Sequence, residues 1–464
     1  MTDIAHFPLV IVGAGGTGLT AALAAADAGI EALVIERDPT PLGSTAMSTG
    51  MIPAAGTPEQ AAAGIVDTPE LFVSDIMAKT KGRTDPHMAY LLAAESAETV
   101  AWLRDRHGVP LELIDGFLYP GHSVRRMYGT PNRTGGELMG ALERACGEAG
   151  VMILTDATVT DLSSDGARVT GVAYRRPDGV VERVTCDALI LACSGFAGDP
   201  DLVARYIPDM AGATFHGHPG NKGDAIRWGE ALGAQLADLT AYQGHGGLAA
   251  GHGVPILWPL IMEGGIQVNA DGLRFSNEAQ GYSEQAAKVN AQPGHVAWSI
   301  FDERLHQLMS SFDDYRLALE AGAVRTAPDV AGLAEVIGLP AAALAETLRE
   351  VADAVAGAPD RFGRDFTGKP PLTAPYYAAK VTGALFHTQG GLVIDEHCRV
   401  LRASGEPFAN LFAGGGAARG VSGDGADGYM AGNGLLTATT FGKIAGRAAA
   451  ALCCTPADRA AVAG

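Results

Sequence analysis

The nine residues VIVGAGGTG, positions 10–18, limit what this chain can fold into more than any other stretch. The apolar run FPLVIV reads as a buried strand, LTAALAAADAG as a helix and IEALVIE as a second strand, which together make a βαβ unit. Gly13, Gly15 and Gly18 form GxGxxG at the strand-to-helix turn, where missing side chains let backbone N–H groups and a helix N-terminus approach a pyrophosphate. Glu36 ends the second strand, where a carboxylate accepts hydrogen bonds from ribose hydroxyls. In a chain with 62 glycines a bare glycine pattern means little, so the flanking strand, helix and acid carry the reading. No second such unit follows, which points to one dinucleotide and no separate nicotinamide site, and hence to FAD over NAD.

At 464 residues the chain exceeds one compact core and suits two domains. Helical patterning over 87–109 and in GGELMGALERACGEAG leads to the strand VMILTD. Two β segments with DG turns then read as an antiparallel meander that returns to the main sheet. Residues 239–382 differ in character, with short strands expected around PILWPLIMEGGIQVNADGLRFSN and then alanine-rich helices. This stretch is expected to be an inserted domain, leaving 1–238 and 383–464 as the dinucleotide-binding domain. GNGLLTATTFGKIAGRAAAAL reads as a closing helix.

Several partners are disfavoured. A balance of 33 basic to 52 acidic residues, net −19, opposes attraction to nucleic acid and to anionic lipid. No apolar run reaches the length of a membrane span, and the N-terminus lacks an export signal, so a soluble cytoplasmic protein is expected. The six cysteines show no metal-ligand spacing and read as reduced thiols, with Cys453 and Cys454 expected in a frayed end; no metal site is expected.

Four stretches resemble the flavoprotein family that contains soluble fumarate reductases and 3-ketosteroid dehydrogenases: VIVGAGGTG with Glu36, GSTAMSTGMI (43–52), LILACSGFAGDP (189–200), and LFAGGGAARG with GNGLLTATTFGKIAG. The resemblance runs along nearly the whole chain. It implies an α/β fold, a Rossmann-like FAD-binding domain with an inserted α+β capping (substrate) domain. It assigns to FAD Gly13, Gly15, Gly16, Gly18, Glu36, Arg37, Ser44, Thr45, Ser48, Gly50, Met51, Val159, Ala192, Asp224, Gly415, Asn433, Gly434, Leu435 and Leu436. The family's covalent members carry a histidine in the second stretch; this chain has none there, so non-covalent FAD is expected. The helix near Gly434 is expected to aim its N-terminal N–H groups at the flavin N1/C2=O edge, where reduction places negative charge. Gly416 departs from a glutamate the family often has against the ribityl or ribose region.

The fumarate reductases of the family grip a dicarboxylate with two histidines, a threonine and an arginine, and deliver a proton from a second arginine. Here the histidines match His245 and His387, the threonine and its adjacent acid become Leu257 and Trp258, and both arginine positions become tyrosines, Tyr282 and Tyr429. Losing two bidentate guanidiniums argues against a dicarboxylate and for a small apolar ketone or enone. NEAQGY (277–282) is similar to the NESxPY of the ketosteroid dehydrogenases, with Gly281 in place of the proline. In that branch one tyrosine removes the proton α to a ketone while flavin N5 takes hydride from the neighbouring carbon, and another tyrosine holds the ketone oxygen. By position Tyr282 is the base and Tyr429, with the Gly432 backbone, holds the oxygen, while Tyr119 in FLYPGHS is a candidate to share the proton. Each also has a plain structural reading: a tyrosine is an ordinary amphipathic core residue, a histidine an ordinary cap, and Trp258 ordinary packing.

The leading expectation is an FAD-dependent CH–CH dehydrogenase that desaturates a cyclic ketone, a 3-ketosteroid or a smaller cyclohexanone. The alternative is an FAD-linked reductase of an activated alkene; a third is a flavin protein that only docks to a redox partner. The external electron acceptor stays open.

Overall fold

The computed structural model describes residues 4–114, 116 and 118–454. Strand β1, Ala5–Val12, is buried on both faces over its second half, as a strand central to a covered parallel sheet must be. Helix α1, Gly16–Asp27, is buried at every position from Gly16 to Ala25, so its alanine and leucine content reflects burial all round and not one apolar stripe. Strand β2, Ala32–Ile35, pairs parallel to β1 with Val12 opposite Ile35, which completes the βαβ unit.

The chain divides into two compact units. The first contains Met1–Leu202, Gly217–Tyr242 and His387–Gly464; the second contains Val203–His216 and Gln243–Phe386. In the first unit the sheet order is Arg399–Leu401, Pro407–Ala413, Val181–Leu191, β1, β2, Met152–Leu154, with Thr158–Ser164 and Val169–Arg175 branching from Val181–Leu191. That branch is the antiparallel meander, and Gly171 opposite Thr185 pairs it back to the parallel core. The closing helix, Asn433–Cys453, belongs to the same hydrophobic core as α1 and β1 through Leu436, Phe441 and Ala445. Cys453 does not lie in a frayed end: it completes that helix, and its thiol donates to the Pro8 carbonyl at 3.1 Å.

The second unit is built on a sheet of Thr214–Phe215, Tyr376–Thr388, Val296–Asp302 and Ile266–Val268, with Tyr242–Ala249 and Val324–Ala327 also pairing with Tyr376–Thr388. Its helix Ala341–Val355 buries Leu344, Thr347 and Val351, the stripe expected of an amphipathic helix on a sheet. One sequence expectation is corrected here. Residues 203–216 group with the second unit, because the short strand Thr214–Phe215 pairs parallel with Ala384 and Leu385, a partnership too brief to leave a periodic signal. Within PILWPLIMEGGIQVNADGLRFSN the strand is Ile266–Val268, as expected of that stretch, while ahead of it Pro259 at the first helical position starts a single turn, Pro259–Met262.

Candidate active site

In the first unit the glycine turn has the close contacts that its sequence implies. A Cβ on Gly18 would stand 1.8 Å from the Gly13 carbonyl oxygen, so only glycine lets α1 begin this close to β1. A Cβ on Gly15 would meet nothing within 4 Å, leaving open space in front of the α1 N-terminus. Glu36 is buried, and its two carboxylate oxygens accept from Ala14 N–H at 2.7 Å and Asp38 N–H at 3.0 Å. One donor on each oxygen leaves lone pairs for hydroxyl groups. Arg37 and Asp224, both assigned to the cofactor by resemblance, pair with one another at 3.0 Å.

The 43–52 segment is tied locally: Thr45 Oγ1 accepts from Gly16 N–H, Ser44 Oγ from the Asn221 amide, and Ser48 Oγ from Gly50 N–H. Ala192 donates its N–H to Val12 at the end of β1, Gly415 follows strand Pro407–Ala413, and Val159 is buried on the meander. The closing helix starts from Gly432 at φ +84, with Asn433, Leu435 and Leu436 buried in its first turn and Gly434 beside them. Asn433 is fully buried, and neither atom of its side-chain amide has a partner among the described residues. A buried amide left unmatched at a helix N-terminus, with an open glycine turn and a carboxylate holding spare lone pairs, is the donor and acceptor set that FAD requires. At Gly416 a Cβ would stand 3.0 Å from the Gly195 nitrogen, so any side chain here would have to displace its neighbours slightly.

Beside that helix start stands His387, whose Cε1 and Nε2 would lie 3.1 Å from a Cβ on Gly434. The Gln389 amide donates to His387 Nδ1 at 3.1 Å, and Gln389 Oε1 is fixed by the Ser422 hydroxyl at 2.9 Å. Nδ1 is therefore an acceptor, the longer 3.3 Å approach to the Thr388 carbonyl carries no proton, and Nε2 bears the hydrogen. Burial pushes the His387 pKa down to about 4. Tyr429 is buried with its ring edge-on to His387, centroids 5.6 Å apart. Tyr119 packs on Met51, Ile114, Met127 and Ala431 and donates to Met51 Sδ at 2.8 Å; burial raises its pKa to about 12.

The second unit holds the other half of the expected residues. Tyr282 opens helix Tyr282–Asn290 directly after Gly281, whose φ of 158 no proline ring can adopt, which accounts for the departure from NESxPY. Glu278 anchors the preceding turn: it is buried, takes Arg274 at 2.8 Å and Arg364 at 3.3 Å, and accepts from Gln267 N–H. The His245 strand is fastened to this helix by Gly244 N–H donating to Ser283 Oγ at 2.9 Å, and by Gln285 donating to Gln267, which in turn donates to the Gly246 carbonyl. The His245 ring stacks on Tyr282 at 5.3 Å and on Phe386 at 5.5 Å, with Trp258 edge-on to both His245 and Tyr282. Gly247 N–H donates to His245 Nδ1, so this ring also carries its proton on Nε2, and burial pushes its pKa down to about 3. Trp258 is buried and its indole N–H has no partner among the described residues; Leu257 beside it is half-buried.

Each unit thus pairs one candidate phenol with one neutral histidine: Tyr282 with His245, and Tyr429 with His387. Sequence reasoning missed the residues that hold them, Ser283, Gln267, Gln285, Gln389 and Ser422, since an isolated polar residue in a strand or loop has no pattern to betray it.

Comparison with known proteins places the chain among flavoenzymes. The FAD binding domain family matches residues 9–435. A fumarate reductase (cytochrome) of Shewanella frigidimarina is 30% identical over 449 residues, covering 95% of this chain and 76% of the relative. Among solved structures, the open conformation of a flavocytochrome c3 fumarate reductase superposes with a TM-score of 0.83 at 28% identity, covering 97% of this chain and 79% of that one. The 3-ketosteroid-Δ4-(5α)-dehydrogenase of Rhodococcus jostii RHA1, in complex with 4-androstene-3,17-dione, gives 0.78 at 27% identity, covering 97% and 98%. With a glycine turn, an acid and an unmatched amide suited to the cofactor, and relatives of this kind along its length, the chain belongs to the FAD binding domain family and is an FAD-dependent oxidoreductase acting on carbon–carbon bonds.

Proposed function

We propose that the enzyme desaturates a cyclic ketone next to its carbonyl, with FAD held non-covalently. The observation that carries this reading is that both phenols pack on histidines, Tyr282 on His245 at 5.3 Å and Tyr429 on His387 at 5.6 Å, where burial lowers the histidine pKa values to about 3 and about 4. Neither histidine then supplies a cation to clamp a carboxylate, and the two arginine positions of the fumarate reductases are tyrosines. Bound FAD supplies the two-electron acceptor. Tyr282 removes the proton on the carbon next to the ketone, and Tyr429 donates its O–H to the ketone oxygen as negative charge builds there, with the Gly432 backbone as a second donor. Tyr119 is the candidate to share the proton of the base; within the first unit its O–H rests on Met51 Sδ at 2.8 Å. The buried Trp258 N–H, without an acceptor among the described residues, suits a neutral substrate oxygen. Leu257 and the Trp258 ring give an apolar wall, and the Rhodococcus relative, solved with a steroid dione, supports a ketone as substrate. We place the enzyme in the cytoplasm; no helix among the described residues is long and apolar enough to cross a membrane.

The second reading, reduction of an activated alkene, is favoured by the fumarate reductase relatives and by both retained histidines. Anaerobic mixing separates the two. Oxidised enzyme is mixed with 3-ketosteroids and substituted cyclohexanones, and reduced enzyme with enones and unsaturated acids, while flavin absorbance is followed. Bleaching by ketones is expected; reoxidation by unsaturated acids with no bleaching by any ketone would overturn the proposal.

A further inference from the structure

A buried polar chain in the first unit ends on the loop that carries Tyr429. Arg126 has no exposed side-chain surface and is held by Asp67 at 3.0 Å and by Asp75 at 2.6 Å. Its Nη1 lies 3.2 Å from His122 Nδ1, and His122 Nε2 lies 2.9 Å from the carbonyl oxygen of Ala431. A guanidinium can only donate, so Nδ1 must accept and the hydrogen must be on Nε2, directed at Ala431. Burial and the Arg126 charge lower the His122 pKa to about 4, in keeping with that neutral form. Ala431 lies two residues beyond Tyr429 and immediately before Gly432, the cap of the closing helix. The backbone of His122 also closes the YPGH turn by donating to the Tyr119 carbonyl at 3.1 Å, and Tyr119 packs against the apolar cluster that contains Ala431.

We propose that His122 is a positioning residue that fastens the turn of Tyr119 to the turn of Tyr429 and to the start of the closing helix. Asp67, Asp75 and Arg126 fix its tautomer, and the Nε2–H fixes the Ala431 carbonyl. The assignment rests on the roles proposed above for the two tyrosines. It locates a second requirement for the reaction: a loop such as GYMAGN, with two glycines, needs an external anchor to hold a phenol to the tolerance that catalysis demands.

The test compares H122F, which keeps a planar ring and loses the donor, with H122Q, whose amide can accept from Arg126 and donate to Ala431. In H122F we expect altered visible flavin bands, a lower flavin midpoint potential and a kcat reduced about tenfold or more while KM moves much less; H122Q restores all three toward wild type. H122F indistinguishable from wild type, or H122Q no better than H122F, overturns the proposal. Should H122F not fold, ¹⁵N-histidine NMR of the wild-type holoenzyme decides: a slowly exchanging Nε2–H on His122 supports the clamp, and an Nδ1–H tautomer overturns it. Should wild type turn over no ketone or enone, the tyrosine roles fall while the flavin and NMR readouts still decide the clamp.

Discussion

A free phenol titrates near pH 10 and is a poor base at neutral pH, so the assignment of Tyr282 depends on what touches it. Its ring stacks on His245, and the network of Ser283, Gln285 and Gln267 fixes the two relative to one another. Tyr282→Phe is expected to lower turnover by about 100-fold or more while FAD remains bound; an active variant, assayed with any ketone that bleaches the flavin, would move the role elsewhere. The histidines make a second prediction. His122, His245 and His387 bind protons more weakly folded than unfolded, with pKa values of about 4, 3 and 4 against an ordinary 6.5. The unfolded chain therefore holds more protons between those values, and the stability these rings contribute is complete above about pH 6.5 and is lost as pH falls toward about 4. The urea midpoint should drop between about pH 7 and about pH 5, and drop less in His122→Gln; equal slopes would show that the folded state does not lower the His122 pKa. Tyr282 and Tyr429 stood out in the sequence through the family resemblance alone, and their packing on His245 and His387 did not. His122 and Arg126 did not stand out either, since nothing in GHSVRRM shows that a loop some 300 residues later supplies the acceptor.

At the scale of elements, the strand, turn and helix over 5–27 follow from local rules, because apolar run, glycine spacing and alanine content all agree. The two glycines of that turn make opposite predictions. Gly18→Ala forces a methyl into the Gly13 carbonyl and should cost about 3 kcal/mol or more of stability. Gly15→Ala meets no protein atom, so the apoprotein should melt at the wild-type temperature while FAD dissociates about tenfold more readily, roughly 1.4 kcal/mol. Thermal melts and FAD titrations of both variants distinguish a packing glycine from a ligand-facing one. Where local rules conflicted, the sequence reading was met only in part: the stretch around PILWPLIMEGGIQVNADGLRFSN has its strand at Ile266–Val268. PILWPLIM has strand-like residues, yet Pro259 removes the N–H a ladder needs and suits a first helical turn instead. The mid-chain strand Thr214–Phe215 is too short for periodicity to register at all.

Across the whole molecule, the chain forms separate hydrophobic cores, one around β1, α1 and the closing helix in the first unit and others around Phe301 and Leu333 in the second. Within 43–52, Ser44, Thr45 and Ser48 are engaged with Asn221, Gly16 and Gly50, and no histidine is present to bond the flavin. Acid precipitation should therefore leave a colourless pellet with FAD in the supernatant; a yellow pellet would show a covalent link. The sequence by itself determined the FAD unit, because its glycine turn, helix and acid are contiguous and act locally, and through the family resemblance it suggested tyrosines at two positions where fumarate reductases carry arginines. Only the tertiary structure decided that each phenol packs on a neutral histidine, that residues 203–216 join the inserted unit, and that a buried Arg126–His122 pair secures the Tyr429 loop. Those facts depend on desolvation and on hydrogen bonds between residues far apart in the chain, and such contacts exist only once the chain has closed around them.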